Sequence, residues 1–145
     1  DFIVGFPNET NKDFQQTMDL IEKVQFDASF SFIFSPRPGT PASQLEDKTP
    51  PTQKKERLQI LQDRIDYFQR SYSKELVGTI QRCLVTGVSK KDSKQLQART
   101  ECNRVVNFDF QNINILGKLV DINIIEAYSH SLAGKIFNPE ERYSA

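Results

Sequence analysis

The residues best suited to chemistry lie in one run, Arg99-Thr-Glu-Cys-Asn-Arg-Val-Val-Asn-Phe108. Two arginines, two asparagines and an aromatic bracket a tight turn there. Guanidinium groups pair with phosphates, carboxamides match base edges, and a ring can stack on a base. Arg99, Asn103, Arg104 and Asn107 are therefore candidate RNA contacts, joined by Lys90 and Lys91 just upstream. Phe108 is either a stacking platform or a core residue. The stretch Gly78–Arg104 carries Arg82, Lys90, Lys91, Lys94, Arg99 and Arg104 against only Asp92 and Glu101. Such a stripe is either the footprint of a phosphate-backbone binder or a solvated face.

A second candidate is Arg37, inside Phe30-Ser-Phe-Ile-Phe-Ser-Pro-Arg-Pro-Gly-Thr-Pro-Ala42. Pro36, Pro38 and Pro41 stiffen the loop, and ligands of parallel sheets bind beyond the carboxyl ends of the strands. Arg37 is thus either a functional cation or an arginine in a surface turn. A third is Gly5-Phe-Pro-Asn-Glu9, a strand-to-helix turn whose free amides suit an anion or a cofactor hydroxyl. Cys83 and Cys102, nineteen positions apart, match no disulfide framework or metal spacing and are expected as free thiols. His130 is the sole histidine, so no His-based triad or metal cluster can be assembled. Neither familiar phosphate-cradling glycine loop is present.

These residues need two kinds of scaffold. Phe2–Phe6, Lys12–Val24 and Ala28–Phe34 form a strand, helix, strand unit with parallel strands. Thr10 and Asp13 make a capping box, and Phe14, Met18, Ile21 and Val24 form the helix's apolar stripe. Ala28, Phe30, Phe32 and Phe34 alternate with Ser29, Ser31 and Ile33, which puts the four on one face and predicts a buried strand. The near-continuous apolar run from Phe2 predicts a strand covered on both faces. A lone unit of this kind leaves its edges and a phenylalanine-rich face bare, so further parallel strands are expected outside the sequence.

A helix from Thr52 to Tyr72 follows, with Leu58, Leu61, Ile65, Phe68 and Tyr72 at spacings of three and four. It either packs on the sheet or acts as a strut. Beyond Ser73 the texture becomes short strands, at Leu76–Val88, Gln95–Thr100, Arg104–Phe110, Lys118–Ala127 and Leu132–Ile136, with a turn signal among others at Gln111–Asn114. That pattern suits a small five-stranded OB-like barrel, a fold that commonly binds oligonucleotides or oligosaccharides. The expected fold class is α/β followed by all-β, with an α/β domain over 1–72, a barrel over 73–137 and a tail over 138–145.

The 145 residues carry no net charge, but residues 1–69 hold 8 basic against 11 acidic side chains and residues 70–145 hold 11 against 8. A 37% hydrophobic content and a mean hydropathy of −0.54 describe a rather polar chain, its longest apolar runs are far too short for a helical membrane span, and a cytoplasmic location with no membrane partner is expected. The first residue already lies inside an interior strand with no methionine before it, which suggests a piece of a longer protein.

Three segments, in order, resemble one family. Asp1-Phe-Ile-Val-Gly-Phe-Pro-Asn-Glu-Thr10 with Asp13-Phe14 is similar to a strand and turn of radical-SAM methylthiotransferases. Phe34-Ser-Pro-Arg-Pro-Gly-Thr-Pro-Ala42 is similar to their "Y-S-x-R-P-G-T-x-A" stretch. Gln97 to Phe108, with Gly87-Val-Ser-Lys-Lys91 before and Gly117-Lys-Leu-Val120 after, resembles the TRAM domain that closes the MiaB-type, tRNA-modifying branch.

The resemblance implies the end of a (β/α) radical-SAM barrel plus a TRAM domain. It implies a parent enzyme, expected to be monomeric, that uses S-adenosylmethionine and two 4Fe-4S clusters to add a methylthio group to an isopentenylated adenosine beside the tRNA anticodon. Its partner would be the anticodon stem-loop. Gly5, Phe6, Pro7, Glu9 and Arg37 would line the cofactor side, and Arg99, Asn103, Arg104, Asn107, Phe108, Lys90 and Lys91 would hold RNA.

Departures from the pattern are Asn8 for Gly, Phe34 for Tyr, Ala98 for Gly and Cys102 for Asn. The family's Cys-x-x-x-Cys-x-x-Cys triplet is missing, so no catalytic or metal-ligating residue is assigned and this chain alone is expected to be inactive. The alternatives are a stand-alone RNA-binding module, or a sister methylthiotransferase acting on another tRNA adenosine or a ribosomal protein.

Overall fold

The computed structural model describes residues 1–109 and 113–138. The chain divides into two compact units, Asp1–Gln69 and the residues from Arg70 onward.

In the first unit β1 (Phe2–Val4), α1 (Asn11–Val24) and β2 (Ser31–Ile33) form the expected strand, helix, strand unit. The strands are parallel, with Phe2 opposite Ser31 and Val4 opposite Ile33. The α1 capping box is complete: the Asp13 amide donates to Thr10 Oγ1 at 3.2 Å and the Thr10 amide donates to Asp13 Oδ2 at 2.9 Å. These bonds satisfy amides that the first turn leaves without intrahelical partners. Gln25, in a left-handed conformation, ends the helix. Met18 and Ile21 are buried, whereas Val24, at the end of the predicted stripe, is 50% exposed.

The strands are shorter than predicted and not buried. Val4 is enclosed, but Phe30 is 73% exposed, Ile3 61%, Phe32 55% and Phe6 43%. The sheet has only two strands, and among the described residues no further strand joins it. The apolar alternation is therefore present while the layer that would cover it is not.

After a 3-10 turn at Pro41–Gln44, α2 runs from Pro51 to Glu75. Leu61, Ile65 and Phe68 form its buried stripe. Ion pairing of Arg64 with Glu22, and the Arg57 guanidinium 5.6 Å from the Phe14 ring, fasten α2 to α1. Here α2 packs as a core helix.

The second unit is a closed barrel of β3 (Ile80–Val88), β4 (Gln95–Thr100), β5 (Val105–Asp109), β6 (Leu119–Ala127) and β7 (Leu132–Ile136), in the order β3-β4-β5-β7-β6. Every pairing is antiparallel except β5 with β7. Inward residues, among them Cys83, Val85, Leu96, Val106, Phe108, Ile122, Ile124 and Leu132, fill the interior.

The first barrel strand starts at Ile80 rather than Leu76, because α2 continues to Glu75 and the chain then turns through Gly78 at φ +84°. Leu76 packs on the barrel core from that turn. Phe110, the Gln111–Asn112 part of the predicted turn, and the tail from Glu140 with Pro139 lie outside the described residues.

Candidate nucleic-acid interface

Along β4, Leu96, Ala98 and Thr100 point inward, so Gln95, Gln97 and Arg99 share the outer face; on β5, Val106 and Phe108 point inward, leaving Val105, Asn107 and Asp109 outside. The register sets Arg99 opposite Val105, Gln97 opposite Asn107, and Gln95 opposite Asp109. On the other side of β4, Leu84 of β3 lies opposite Arg99. The register between these strands shifts between Val85 and Gly87, a bulge that includes Thr86. Thr86 Oγ1 donates to the Gln97 carbonyl at 3.1 Å. Arg99, Gln97 and Asn107 thus share a face, with Gln97 directly opposite Asn107 and two residues before Arg99.

The β4–β5 turn is locked from both sides. Asn103 is left-handed at φ 66°, and its amide donates to the Thr100 carbonyl at 2.9 Å. The Arg99 Nη1 group donates to the Asn103 carbonyl at 2.9 Å and to its Oδ1 at 3.1 Å. Among the described residues its remaining donors have no partner, so the fork can still meet a phosphate. Arg104 is committed inward by comparison, donating from Nε to Ser73 Oγ at 3.0 Å and from Nη1 to Cys102 Sγ at 3.1 Å.

Phe108 is 1% exposed and belongs to the barrel core. It is unavailable as a stacking platform, because its place on β5 alternates with outward-facing Asn107. Lys90 and Lys91 lie in the β3–β4 loop, at the opposite end of β4 from the Arg99–Arg104 turn. Lys91 Nζ donates to Ser131 Oγ at 3.3 Å and sits 6.0 Å from the centre of the Tyr128 ring. Tyr128 is 49% exposed, with its hydroxyl on Glu126 at 2.6 Å. That bond, some burial and the carboxylate's charge hold the phenol above its usual pKa. Tyr128 is an aromatic that the linear reading passed over. Gln97 was also missed, although the alternation Gln95, Gln97, Arg99 against Leu96 and Ala98 marks it as outward.

In the first unit, Gly5 and Asn8 both take φ 68°, so the asparagine fills a left-handed position. Glu9 accepts from the Gly5 amide and pairs with Arg57 at 3.5 Å, while Arg57 also donates to the Glu9 carbonyl at 3.0 Å and to Asn11 Oδ1 at 2.8 Å. Arg57 is 5% exposed, which makes Glu9 the internal clasp of this turn. The Phe6 ring meets Phe34 edge-on at 4.9 Å, bringing the turn after β1 beside the loop after β2. Pro7 is buried in the turn. Arg37 is exposed and, among the described residues, its guanidinium is unbonded. It lines a cavity of about 560 Å³ with Ile3, Phe32, Phe34 and Thr40.

The fit to an iron-sulfur cluster is poor. Such clusters are held by several thiolates, and this sequence has only Cys83 and Cys102. Cys83 is enclosed in the barrel, and burial, with smaller contributions from Cys102 and Asp121, pushes its thiol up to about 11. Cys102 is exposed. Burial alone would raise its pKa, but hydrogen bonds with Thr100 and Arg104 and the charge of Arg104 outweigh that and lower it. Among the described residues no three His, Cys, Asp or Glu side chains group to hold a metal. No described helix is long and apolar enough to cross a membrane.

The family model of the TRAM domain matches residues 74–137, a range that contains all five barrel strands. Residues 74–137 are a TRAM domain. Around that TRAM domain, the chain as a whole is 55% identical over 140 residues to the tRNA-2-methylthio-N(6)-dimethylallyladenosine synthase of Legionella pneumophila (strain Corby), covering 97% of this chain and 31% of that protein. The protein of the same name from Ectopseudomonas mendocina (strain ymp) is 56% identical over 138 residues, covering 95% and 31%. That from Chromohalobacter salexigens is 54% identical over 140 residues, covering 96% and 31%. The chain matches the C-terminal part of these MiaB-type proteins and spans about a third of their length.

Proposed function

We propose that these residues belong to a radical-SAM tRNA methylthiotransferase, and that the TRAM barrel is its grip on the tRNA anticodon stem-loop. The observation that carries this reading is the outer face of β4–β5, where, among the described residues, Arg99 keeps free guanidinium donors beside the amides of Gln97, Asn103 and Asn107. Arg99 supplies charge for a phosphate, and its bond to Asn103 fixes the fork before RNA arrives, which lowers the ordering cost of binding.

In the parent, S-adenosylmethionine and two 4Fe-4S clusters supply the radical and sulfur chemistry for methylthiolation of isopentenylated adenosine. The residues present do not fit a cluster, so this chain alone is inactive and the parent is the enzyme, acting as a monomer in the cytoplasm. The parallel β1–β2 pair contributes two strands to the parent's barrel, with Gly5, Phe6, Pro7 and Arg37 on the cofactor side of their carboxyl ends. Glu9 acts there by holding the turn through Arg57.

Titration of the chain with an anticodon stem-loop at several salt concentrations tests the RNA assignment. Affinity should fall steeply with salt, and Arg99→Ala should weaken binding across sequences and lower the slope by about one counterion. An absence of binding at low ionic strength overturns it. Reconstitution with iron and sulfide tests the rest, since a stoichiometric four-iron signal on this chain would contradict it.

A further inference from the structure

Three cross-strand rows, Gln95 with Asp109, Gln97 with Asn107 and Arg99 with Val105, cross the outer face of the TRAM barrel, and they are not equivalent. In the first, Gln95 Nε2 donates to Asp109 Oδ1 at 3.0 Å, so the pair is satisfied internally. In the last, Arg99 is tied to the turn at Asn103. The middle row is different. Gln97 and Asn107 are directly opposed and partly exposed, yet no bond joins their carboxamides. Gln97 Nε2 leans instead toward Thr86 Oγ1 at 3.4 Å, across the β3–β4 pairing, and among the described residues its Oε1 is unused. Among the described residues the Asn107 side chain makes no hydrogen bond.

The bulge that includes Thr86 explains why this row stays open. An extra residue in one strand re-aims side chains locally, and here the threonine hydroxyl engages both the Gln97 backbone and its amide. Gln97 is thereby drawn toward β3 and away from Asn107. Two carboxamides with donors and acceptors in reserve, held on rigid strands one step from a cation, form a site for a planar polar ligand.

We infer that the Thr86–Gln97–Asn107 row reads the edge of one unpaired nucleobase, so that this barrel selects RNA by base as well as by charge. Adenine is the base committed to here, because a carboxamide gives one donor and one acceptor in the spacing of its N7 and N6 groups. Arg99, two residues along β4 on the same face, meets the neighbouring phosphate. This rests on the RNA-binding reading above and adds sequence selectivity to it.

The test is binding of the whole chain to fluorescein-labelled single-stranded oligo(rA), oligo(rC) and oligo(rU) of equal length, at two salt concentrations. The expected result is a preference for oligo(rA) of roughly tenfold. Asn107→Leu and Gln97→Met should each reduce that preference severalfold, while leaving salt dependence unchanged. Gln95→Met, on the same face but in the closed row, should keep the preference, and unchanged circular dichroism shows that the variants fold. Asn107→Asp, nearly identical in shape, should lose the preference too, because it cannot donate.

RNA binding without base preference, or a preference that survives these variants, overturns the inference and leaves the RNA-binding assignment standing. No RNA binding by the unsubstituted chain overturns both.

Discussion

Arg104 donates from Nε to the Ser73 hydroxyl at 3.0 Å, fastening the β4–β5 turn to the last residues of α2 across thirty-one positions. The side chain is thus a brace as well as a cation. Arg104→Ala should cost about 1.5–3 kcal/mol in urea unfolding, the scale of a lost hydrogen bond to a charged group. Its effect on RNA affinity should be smaller than that of Arg99→Ala. Arg104→Lys should recover only part of the stability, since an ammonium cannot reproduce the guanidinium fork.

Glu9 and Arg57 close the turn after β1, with side chains only 12% and 6% exposed. Removing one partner strands the other's charge in a dry environment. Arg57→Leu should lower the stability of the first unit by about 3 kcal/mol. Glu9→Gln, which keeps the shape and a hydrogen-bonding oxygen, should cost less. Thermal unfolding of the two variants gives the comparison.

The two thiols should separate cleanly. Cys102 is exposed, and Thr100 and Arg104 lower its pKa against the effect of burial, so it should react with a disulfide reagent in the folded chain. Cys83, enclosed and pushed up to about 11 chiefly by burial, should react only after unfolding. The rate at Cys102 should rise with pH, with its midpoint below the usual thiol pKa. Arg104→Ala should move that midpoint upward.

Asp13 has its pKa lowered chiefly by the side-chain hydrogen bond to Thr10, with the Thr10 backbone bond next. Because the folded value is the lower one, its contribution to stability is present above the unfolded pKa and is lost as pH falls through the folded one. Far-ultraviolet circular dichroism should show wild type more helical than Asp13→Ala near neutrality. The two should converge in acid.

Glycine positions differ in what they can tolerate. A Cβ on Gly134 would lie 2.4 Å from Ile122 Cγ2 and 2.9 Å from the Asn123 carbonyl oxygen, and a carbonyl in a ladder cannot step aside. Gly134→Ala should destabilise the barrel by about 3 kcal/mol, near the upper end of overpacking effects. Gly39→Ala has open space around it, so only the strain of φ +83° applies, about 1 kcal/mol. Chemical denaturation distinguishes them.

The barrel was legible because its short strands are separated by polar turns and β4 and β5 alternate regularly between inward and outward residues. Leu96, Ala98 and Val106 announce an inner face, whereas Phe108, open between stacking and core in the sequence, is settled as core only by its burial. The α1 boundary was equally plain from Thr10 and Asp13. What escaped was whatever depends on a partner far along the chain. Arg57 looks like one more helix cation until Glu9 is placed beside it. Gln97 looks like polar filler until register puts it opposite Asn107. The exposure of Phe30 and Phe32 was hidden for another reason, since alternation encodes a wish for burial and says nothing of what supplies it.

The position of β7 between β5 and β6 has a kinetic consequence. Until Leu132–Ile136 docks, the other four strands form an open ribbon with two raw borders and a half-wetted interior. Closure must draw in segments far apart along the chain, an arrangement associated with slow folding. This last strand therefore acts as the latch for assembling the whole barrel.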